Sequence, residues 1–225
     1  MEERKSQKQV WDNIAPDWYK FKIFQSPITT KFLHRQKGNI LDFGSGAGRY
    51  LIKIKNAKLW LVDFSEEMIK LAKKRAKQKG IKAEFAVAEI TKLPHKNNFF
   101  NAAIAIASFH CLNKKQHKKA AKELYHILKP GAKVQIAVWN KDSPRFKNAP
   151  KEKYVSWRDK GKRYYYLFTE KEIYNLFEKA GFKIIKKYNE GKKAVNIIFV
   201  AQKPRKSQRK RLIVELLLIK NLTSS

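Results

Sequence analysis

Between Asn39 and Trp139 the chain alternates short apolar runs with longer stretches of helical period, and few folds accommodate that alternation. The apolar runs are Ile40 to Phe43, Leu59 to Asp63, Ala83 to Val87, Ala102 to Ala107 and Val134 to Trp139. The helical stretches are Arg49 to Lys55, Glu66 to Lys79 and Lys114 to Leu128. Parallel strands need a crossover, and a crossover helix buries its apolar stripe on the sheet. The pattern therefore predicts an α/β domain with helices on both faces of a parallel sheet. Ser65 reads as the cap of one helix, with Glu66 and Glu67 in its first turn and Gly80 past its end. Thr169 and Glu172 form a capping box for another, which runs to Ala180 and stops at Gly181. Phe182 to Tyr188 and Val195 to Gln202, joined by Asn189-Glu190-Gly191-Lys192, read as a terminal antiparallel hairpin.

This sheet domain is bounded at residues 37–203. Residues 1–36 carry Trp11, Trp18, Tyr19, Phe21, Phe24, Phe32 and Leu33 among bases, and read as a helical cap broken at Pro16 and Pro27. Residues 140–168 have no clear period and hold many bases and aromatics, from Phe146 to Phe168. They follow a strand, which places them at the carboxyl edge of the sheet as a substrate-binding insertion. Residues 204–225 form a basic and then apolar tail.

Of the 51 basic residues only ten are Arg, and against 19 acids they leave a net charge of +32. Such a field favours a polyanionic partner, nucleic acid above all, although Lys enrichment of solvated faces produces the same number. Hydrophobic residues at 43% supply a core despite the charge. The one cysteine, Cys111, can close no intramolecular disulfide and supply no Cys-rich zinc site, so a cytoplasmic setting and no metal are expected. The charged amino-terminus is unlike a signal peptide, and the longest apolar run, Leu212 to Ile219, is far short of the roughly 20 residues of a membrane span.

Chemistry enters with Ile40-Leu41-Asp42-Phe43-Gly44-Ser45-Gly46-Ala47-Gly48-Arg49-Tyr50. Glycines after a strand let a ligand approach the backbone. The dinucleotide fingerprint wants a third glycine where Arg49 stands, and no Gly-Lys-Ser/Thr follows to make a P-loop. Asp42 beside the turn repels a pyrophosphate and suits a cation. Asp63, 21 residues on at the end of the next strand, can accept both hydroxyls of a ribose. Together they describe a nucleoside whose other end is cationic, which S-adenosylmethionine satisfies.

On Asp42 to Gly48, Val62-Asp63-Phe64-Ser65, Ala88-Glu89-Ile90, Phe100 to Ile104, Ser108 to Leu112 and Leu128-Lys129-Pro130-Gly131, the chain resembles the class I S-adenosylmethionine-dependent methyltransferases from about Trp11 to Lys203. The resemblance implies a three-layer, Rossmann-like fold whose seven-stranded, mostly parallel sheet has its last strand antiparallel. It implies cofactor contacts at Asp42, Gly44, Gly46, Gly48, Asp63, Phe64, Ala107 and Tyr19, with Glu89 and the Ile90 amide at the adenine edge. Glu89 and Asn101 stand where this class usually or often has Asp. Val10 to Pro16, Ala137-Val138-Trp139, Tyr154 to Trp157 and Arg163-Tyr164-Tyr165-Tyr166-Leu167-Phe168 are similar to the tRNA methyltransferases that esterify 5-carboxymethyluridine at the wobble position, and to the related domain of the AlkB-homologue tRNA hydroxylase. Here Tyr166 replaces a histidine, and His110-Cys111 replaces a His-His pair.

A carboxylate acceptor is already ionised near neutral pH, so methyl transfer to it needs alignment rather than a general base. The catalytic candidates are Arg163, for the uridine carboxylate or a flanking phosphate, and Tyr164 and Trp157 for stacking a splayed base. His110, after the fourth strand where donor and acceptor should meet, is the fourth. The expected partners are tRNA and, by the resemblance, a small zinc-binding activator subunit, with no membrane. The rival readings are a small-molecule methyltransferase acting on a quinone, lipid or metabolite, and a non-catalytic RNA-binding module.

Overall fold

The computed structural model describes residues 6–188, 191 and 194–205. The basic and apolar tail beyond 205 and most of the 189–193 connection lie outside the described residues. In chain order the elements are α1 (Gln7–Phe21), α2 (Pro27–His34), β1 (Gly38–Phe43), β2 (Ala57–Asp63), α3 (Glu66–Gln78), β3 (Ala83–Val87) and β4 (Phe100–Ile106). After a 3-10 turn at Phe109–Cys111 come α4 (Lys114–Ile127), β5 (Leu128–Trp139), β6 (Glu152–Ser156), β7 (Lys162–Tyr166), α5 (Glu170–Lys179), β8 (Lys183–Tyr188) and β9 (Asn196–Gln202).

The main sheet has the order β3-β2-β1-β4-β5-β9-β8. Strands β1 to β5 are parallel, and β9, the last strand, is antiparallel to both β5 and β8. Because side chains alternate along a strand, each strand feeds two cores. Leu41, Phe43, Val134 and Ile136 pack toward Leu124 of α4 and Ile173 and Phe177 of α5. Ile40, Ala102 and Ile104 pack toward Phe32 and Leu33 of α2 and Ala72 and Ala76 of α3. Three layers result. The expected caps form as read: Ser65 Oγ accepts from Met68 N–H, and Thr169 and Glu172 close a capping box.

Three local expectations are corrected. Residues 49–55 form a turn followed by irregular chain rather than a helix. The stretch is short, follows three glycines at positive φ, and ends at Asn56, itself at φ 58°. Pro16 does not break α1, although an interior proline costs about 3 kcal/mol. Buried Val10, Trp11, Ile14 and Ala15 and the Asp12 side chain, which accepts from Ser65 Oγ (2.6 Å) and Glu67 N–H (3.3 Å), hold the helix while Pro16 faces out. Residues 140–168 are not wholly irregular: β6 and β7 pair antiparallel, Tyr154 opposite Tyr164. Their turn closes with Trp157 N–H on Gly161 O (2.9 Å), and a Cβ on Gly161 would come within 3.1 Å of Val10. No described helix is long and apolar enough to cross a membrane.

Candidate active site

The carboxyl ends of β1, β2, β4 and β5 open onto one cavity of about 610 Å3, within the roughly 300–1,000 Å3 of small-ligand sites. Helix α1 and the β6–β7 hairpin cover it. Gln7 fixes the two to one another: its carbonyl accepts from Tyr164 N–H (2.8 Å) and its amide donates to Lys162 O (3.1 Å).

The three glycines of the first turn do different work. All have positive φ. A Cβ on Gly44 would stand 2.5 Å from Ser108 Cβ, so this glycine lets β1 and β4 end side by side. Gly48 meets Leu51 at 2.7 Å and belongs to the core rather than the ligand. At Gly46 the nearest atoms are Trp18 Nε1 (3.8 Å) and Met68 Sδ (3.9 Å), leaving the backbone open to the cavity.

Two carboxylates sit below this turn. Asp63 accepts from Gly46 N–H at one oxygen (2.8 Å) and Ser65 N–H at the other (3.0 Å), which fixes its plane and leaves each oxygen a second acceptor position. Burial pushes its carboxyl up to about 6 against those bonds. Asp42 is 6% exposed, and among the described residues no hydrogen bond reaches its carboxylate. Burial is the main cause that raises it to about 7, Asp63 adds to the rise, and Arg49 opposes it. An unpartnered buried carboxylate is a cost that an arriving cation offsets. A diphosphate would meet the same two acids with its own negative charge. The residues therefore fit S-adenosylmethionine, with a diol for Asp63 and a positive charge within the field of Asp42 beneath the turn.

At the opposite end the chain leaves β4 through Ala107, held at φ 65°, a strained value for a residue with a Cβ. The turn that follows presents His110. Its Nδ1 accepts from Trp139 N–H (3.0 Å), so the proton of the neutral ring sits on Nε2. Burial, reinforced by Lys22, Arg163 and Arg49, holds His110 down at about 3. Burial pushes the Cys111 thiol and the Tyr165 phenol well above their usual ranges. None of the three side chains that meet here is a base near neutral pH.

Of the expected residues, Gly44, Gly46, Asp63, Phe64, Glu89, Ile90, Ala107, His110 and Tyr164 line the cavity together. Five do not. Asp42 lies beneath the turn, and Gly48 lies in the core. Tyr19 is on the α1–α3 seam, its hydroxyl bonded to Gln78 (2.6 Å) and its ring under Arg75; one position away, Trp18 faces the cavity. Arg163 and Trp157 stand behind the wall. The Arg163 guanidinium is enclosed by Trp157 (4.9 Å), Trp18 (5.2 Å), Tyr165 (5.2 Å) and Trp11 (5.9 Å), donates to Tyr165 Oη (2.7 Å), and leaves Nε unpartnered. This box locks α1 to the hairpin, so a free guanidinium fork is not offered to an acceptor. The sequence reading passed over Lys22 as a cavity residue, although its i, i+4 spacing from Trp18 put both on one face. Among the described residues no cluster of His, Cys, Asp or Glu could hold a metal ion.

The family described as a methyltransferase domain matches residues 40–131. The chain is 34% identical over 140 residues to the tRNA (carboxymethyluridine(34)-5-O)-methyltransferase of Arabidopsis thaliana, covering 61% of this chain and 33% of that protein. It is 32% identical over 189 residues to an uncharacterized protein of Methanocaldococcus jannaschii, covering 79% and 82%. A chain of the solved complex between the Haloferax volcanii Trm112 methyltransferase activator and its methyltransferase shares the fold, with a TM-score of 0.63 at 16% identity over 87% of this chain and 98% of that one. The chain spans about a third of the length of the curated tRNA methyltransferases it matches.

Proposed function

The chain belongs to the class I S-adenosylmethionine-dependent methyltransferases, with S-adenosylmethionine as cofactor, and from that premise we propose that it methylates tRNA, esterifying the 5-carboxymethyl group of the wobble uridine. The observation that carries this reading is the lack of a base among the side chains that meet at the His110 turn: burial lowers the imidazole to about 3 and raises the Cys111 thiol and the Tyr165 phenol above their usual ranges. A ring nitrogen or hydroxyl acceptor has a proton to lose. A carboxylate, with an ordinary pKa near 4, has none.

Asp63 holds the nucleoside, Asp42 beneath the turn favours the ammonium through its charge rather than by contact, and Glu89 and Ile90 form the far wall. Bound S-adenosylmethionine supplies a methyl group on a positive sulfonium. Transfer to a carboxylate oxygen would break the carbon–sulfur bond as the new bond forms and would turn a positive and a negative charge into a neutral thioether and a neutral ester. A site that excludes water favours such a change, because the reactants lose solvation that the products do not need. Trp18, Trp139 and Tyr165 provide that exclusion, and the His110 Nε2–H is a donor that orients the uracil edge or the carboxyl. Arg163 acts by position, keeping α1 and the hairpin in register, with Trp157 part of its box. Tyr164 offers a face for the base.

The partner we add to tRNA is a Trm112-like activator, the kind of subunit named in the archaeal complex whose fold this chain shares. The experiment is incubation of the protein, alone and with that activator, with methyl-labelled cofactor and tRNA carrying 5-carboxymethyluridine, followed by nucleoside mass analysis. The reading expects the mass gain on that nucleoside alone. A methyl on a ring nitrogen or ribose, or on a small carboxylic acid while tRNA is ignored, overturns it.

A further inference from the structure

Four cations line the cavity, and two of them are already engaged. Lys8 pairs with Asp12 (3.1 Å) and Glu66 (3.1 Å). Arg75 donates to Tyr19 O (2.6 Å) and lies 4.1 Å over the Tyr19 ring. Lys22 and Arg49 are different: among the described residues neither side chain makes a hydrogen bond or an ion pair, and each rests only on aromatic rings. Lys22 Nζ is 5.2 Å from Trp18 and 5.1 Å from Phe21; the Arg49 guanidinium is 4.8 Å from Tyr50. They come from separate parts of the chain, Lys22 from the carboxyl end of α1 and Arg49 from the turn after Gly48. Their fields nevertheless converge. Burial is the first cause that lowers Lys22, followed by Arg49, Arg163 and Arg145, with no acid pulling the other way. Both line the same cavity as His110, Arg49 also facing the Asp42 carboxylate beneath the turn, whose rise it opposes. Bringing like charges together at a half-buried cavity wall costs energy that an anion there recovers.

We propose that Lys22 and Arg49 form a subsite for one backbone phosphate of the RNA acceptor, the phosphate adjoining the nucleotide whose base enters the cavity. This deepens the tRNA reading above and rests on it. The acceptor offers two oxyanions, the carboxylate and the phosphodiester, and reactivity decides between them. Two cations bonded to the carboxylate would stabilise the charge that the reaction must discharge and so slow transfer, whereas cations on a neighbouring phosphate fix the nucleotide without touching the nucleophile. The surroundings suit a nucleotide chain. Phe21 and Phe24, on either side of Lys22, are 61% and 74% exposed, and rings interleaved with cations are the composition that grips single-stranded nucleic acid.

The test titrates full-length wild type, Lys22→Gln, Arg49→Gln, Lys22→Arg and Lys119→Gln with three ligands. These are S-adenosylhomocysteine, an anticodon stem-loop carrying 5-carboxymethyluridine at several salt concentrations, and the 5-carboxymethyluridine nucleoside. Lys119 is exposed on α4, on the other side of the sheet, and reports loss of bulk charge alone. The proposal expects Lys22→Gln to bind S-adenosylhomocysteine as wild type does, and each Gln variant to bind the stem-loop about tenfold more weakly, beyond any change in its S-adenosylhomocysteine affinity, and to lose about one unit of log–log salt slope. Lys22→Arg should restore binding, Lys119→Gln should change it little, and nucleoside binding should be unaltered. Equal losses for the stem-loop and the nucleoside would assign the cations to the carboxylate and overturn the phosphate assignment. Wild-type slopes in both Gln variants would overturn the subsite while leaving the tRNA reading standing. No stem-loop binding by wild type, with S-adenosylhomocysteine bound normally, would remove both.

Discussion

Replacing Asp42 by Asn should move stability and cofactor affinity in opposite directions. The Asp42 carboxyl is held at about 7 by burial against an ordinary 3.8, so between those values the folded chain binds a proton that the unfolded chain has released. Wild type therefore loses stability as pH rises through that window. At about 1.36 kcal/mol per pH unit the gap corresponds to an upper bound of about 4 kcal/mol by pH 8. A buried amide without partners has its own cost of about 1–3 kcal/mol, which leaves Asp42→Asn about 1–3 kcal/mol more stable than wild type at pH 8, several degrees in melting temperature. At pH 3, where the carboxyl is protonated in both states, the gain should vanish. Titration calorimetry with S-adenosylmethionine should show the opposite sign, a loss of about tenfold, because the ammonium loses the field of a nearby negative charge. Thermal melts of the ligand-free protein at both pH values complete the comparison. If Asp42→Asn is less stable than wild type at pH 8 and binds the cofactor unchanged, Asp42 neither carries a strained charge nor meets a cation.

Asp63→Ala should abolish detectable cofactor binding in calorimetry, because the acceptor that Gly46 N–H and Ser65 N–H hold in the plane of the diol is gone. With both substrates saturating, the turnover rate should stay flat from about pH 6 to 9, since His110 has lost its proton far below that range; a limb near pH 6.5 in the rate profile would contradict a neutral donor role. Arg163→Ala should spare cofactor affinity but slow methyl transfer and shift tryptophan emission as Trp11, Trp18 and Trp157 lose their cation. Arg163→Lys should rescue poorly, because an ammonium cannot stack flat among four rings.

The sheet was legible because the central strands β1, β4 and β5 are largely buried and read as mainly apolar runs, and because helix caps such as Ser65 and Thr169 are local chemistry. The glycine turn and its two acids could be read for the same reason: their spacing along the chain fixes their neighbours in space. What escaped depends on partners distant in sequence. The β6 strand, Glu-Lys-Tyr-Val-Ser, covers the cavity with alternate side chains facing solvent, so composition alone suggested a loop. Pro16 reads as a break until the packing of α1 is known. Arg163 reads as a ligand for an anion because nothing in sequence reveals that Trp11, Trp18 and Trp157 converge on it from two elements, and Lys22 stays hidden for want of any motif around it.

An ester is the one product that differs in kind from the alternatives, and its reactivity can be read without a structure. Full-length protein, labelled in trans with methyl-tritiated cofactor on tRNA bearing 5-carboxymethyluridine, should yield RNA whose radioactivity leaves as volatile methanol under mild alkali. Label that stays with the nucleoside through the same treatment would mean transfer to nitrogen, carbon or ribose, and the base-free carboxylate chemistry derived from His110, Cys111 and Tyr165 would be wrong.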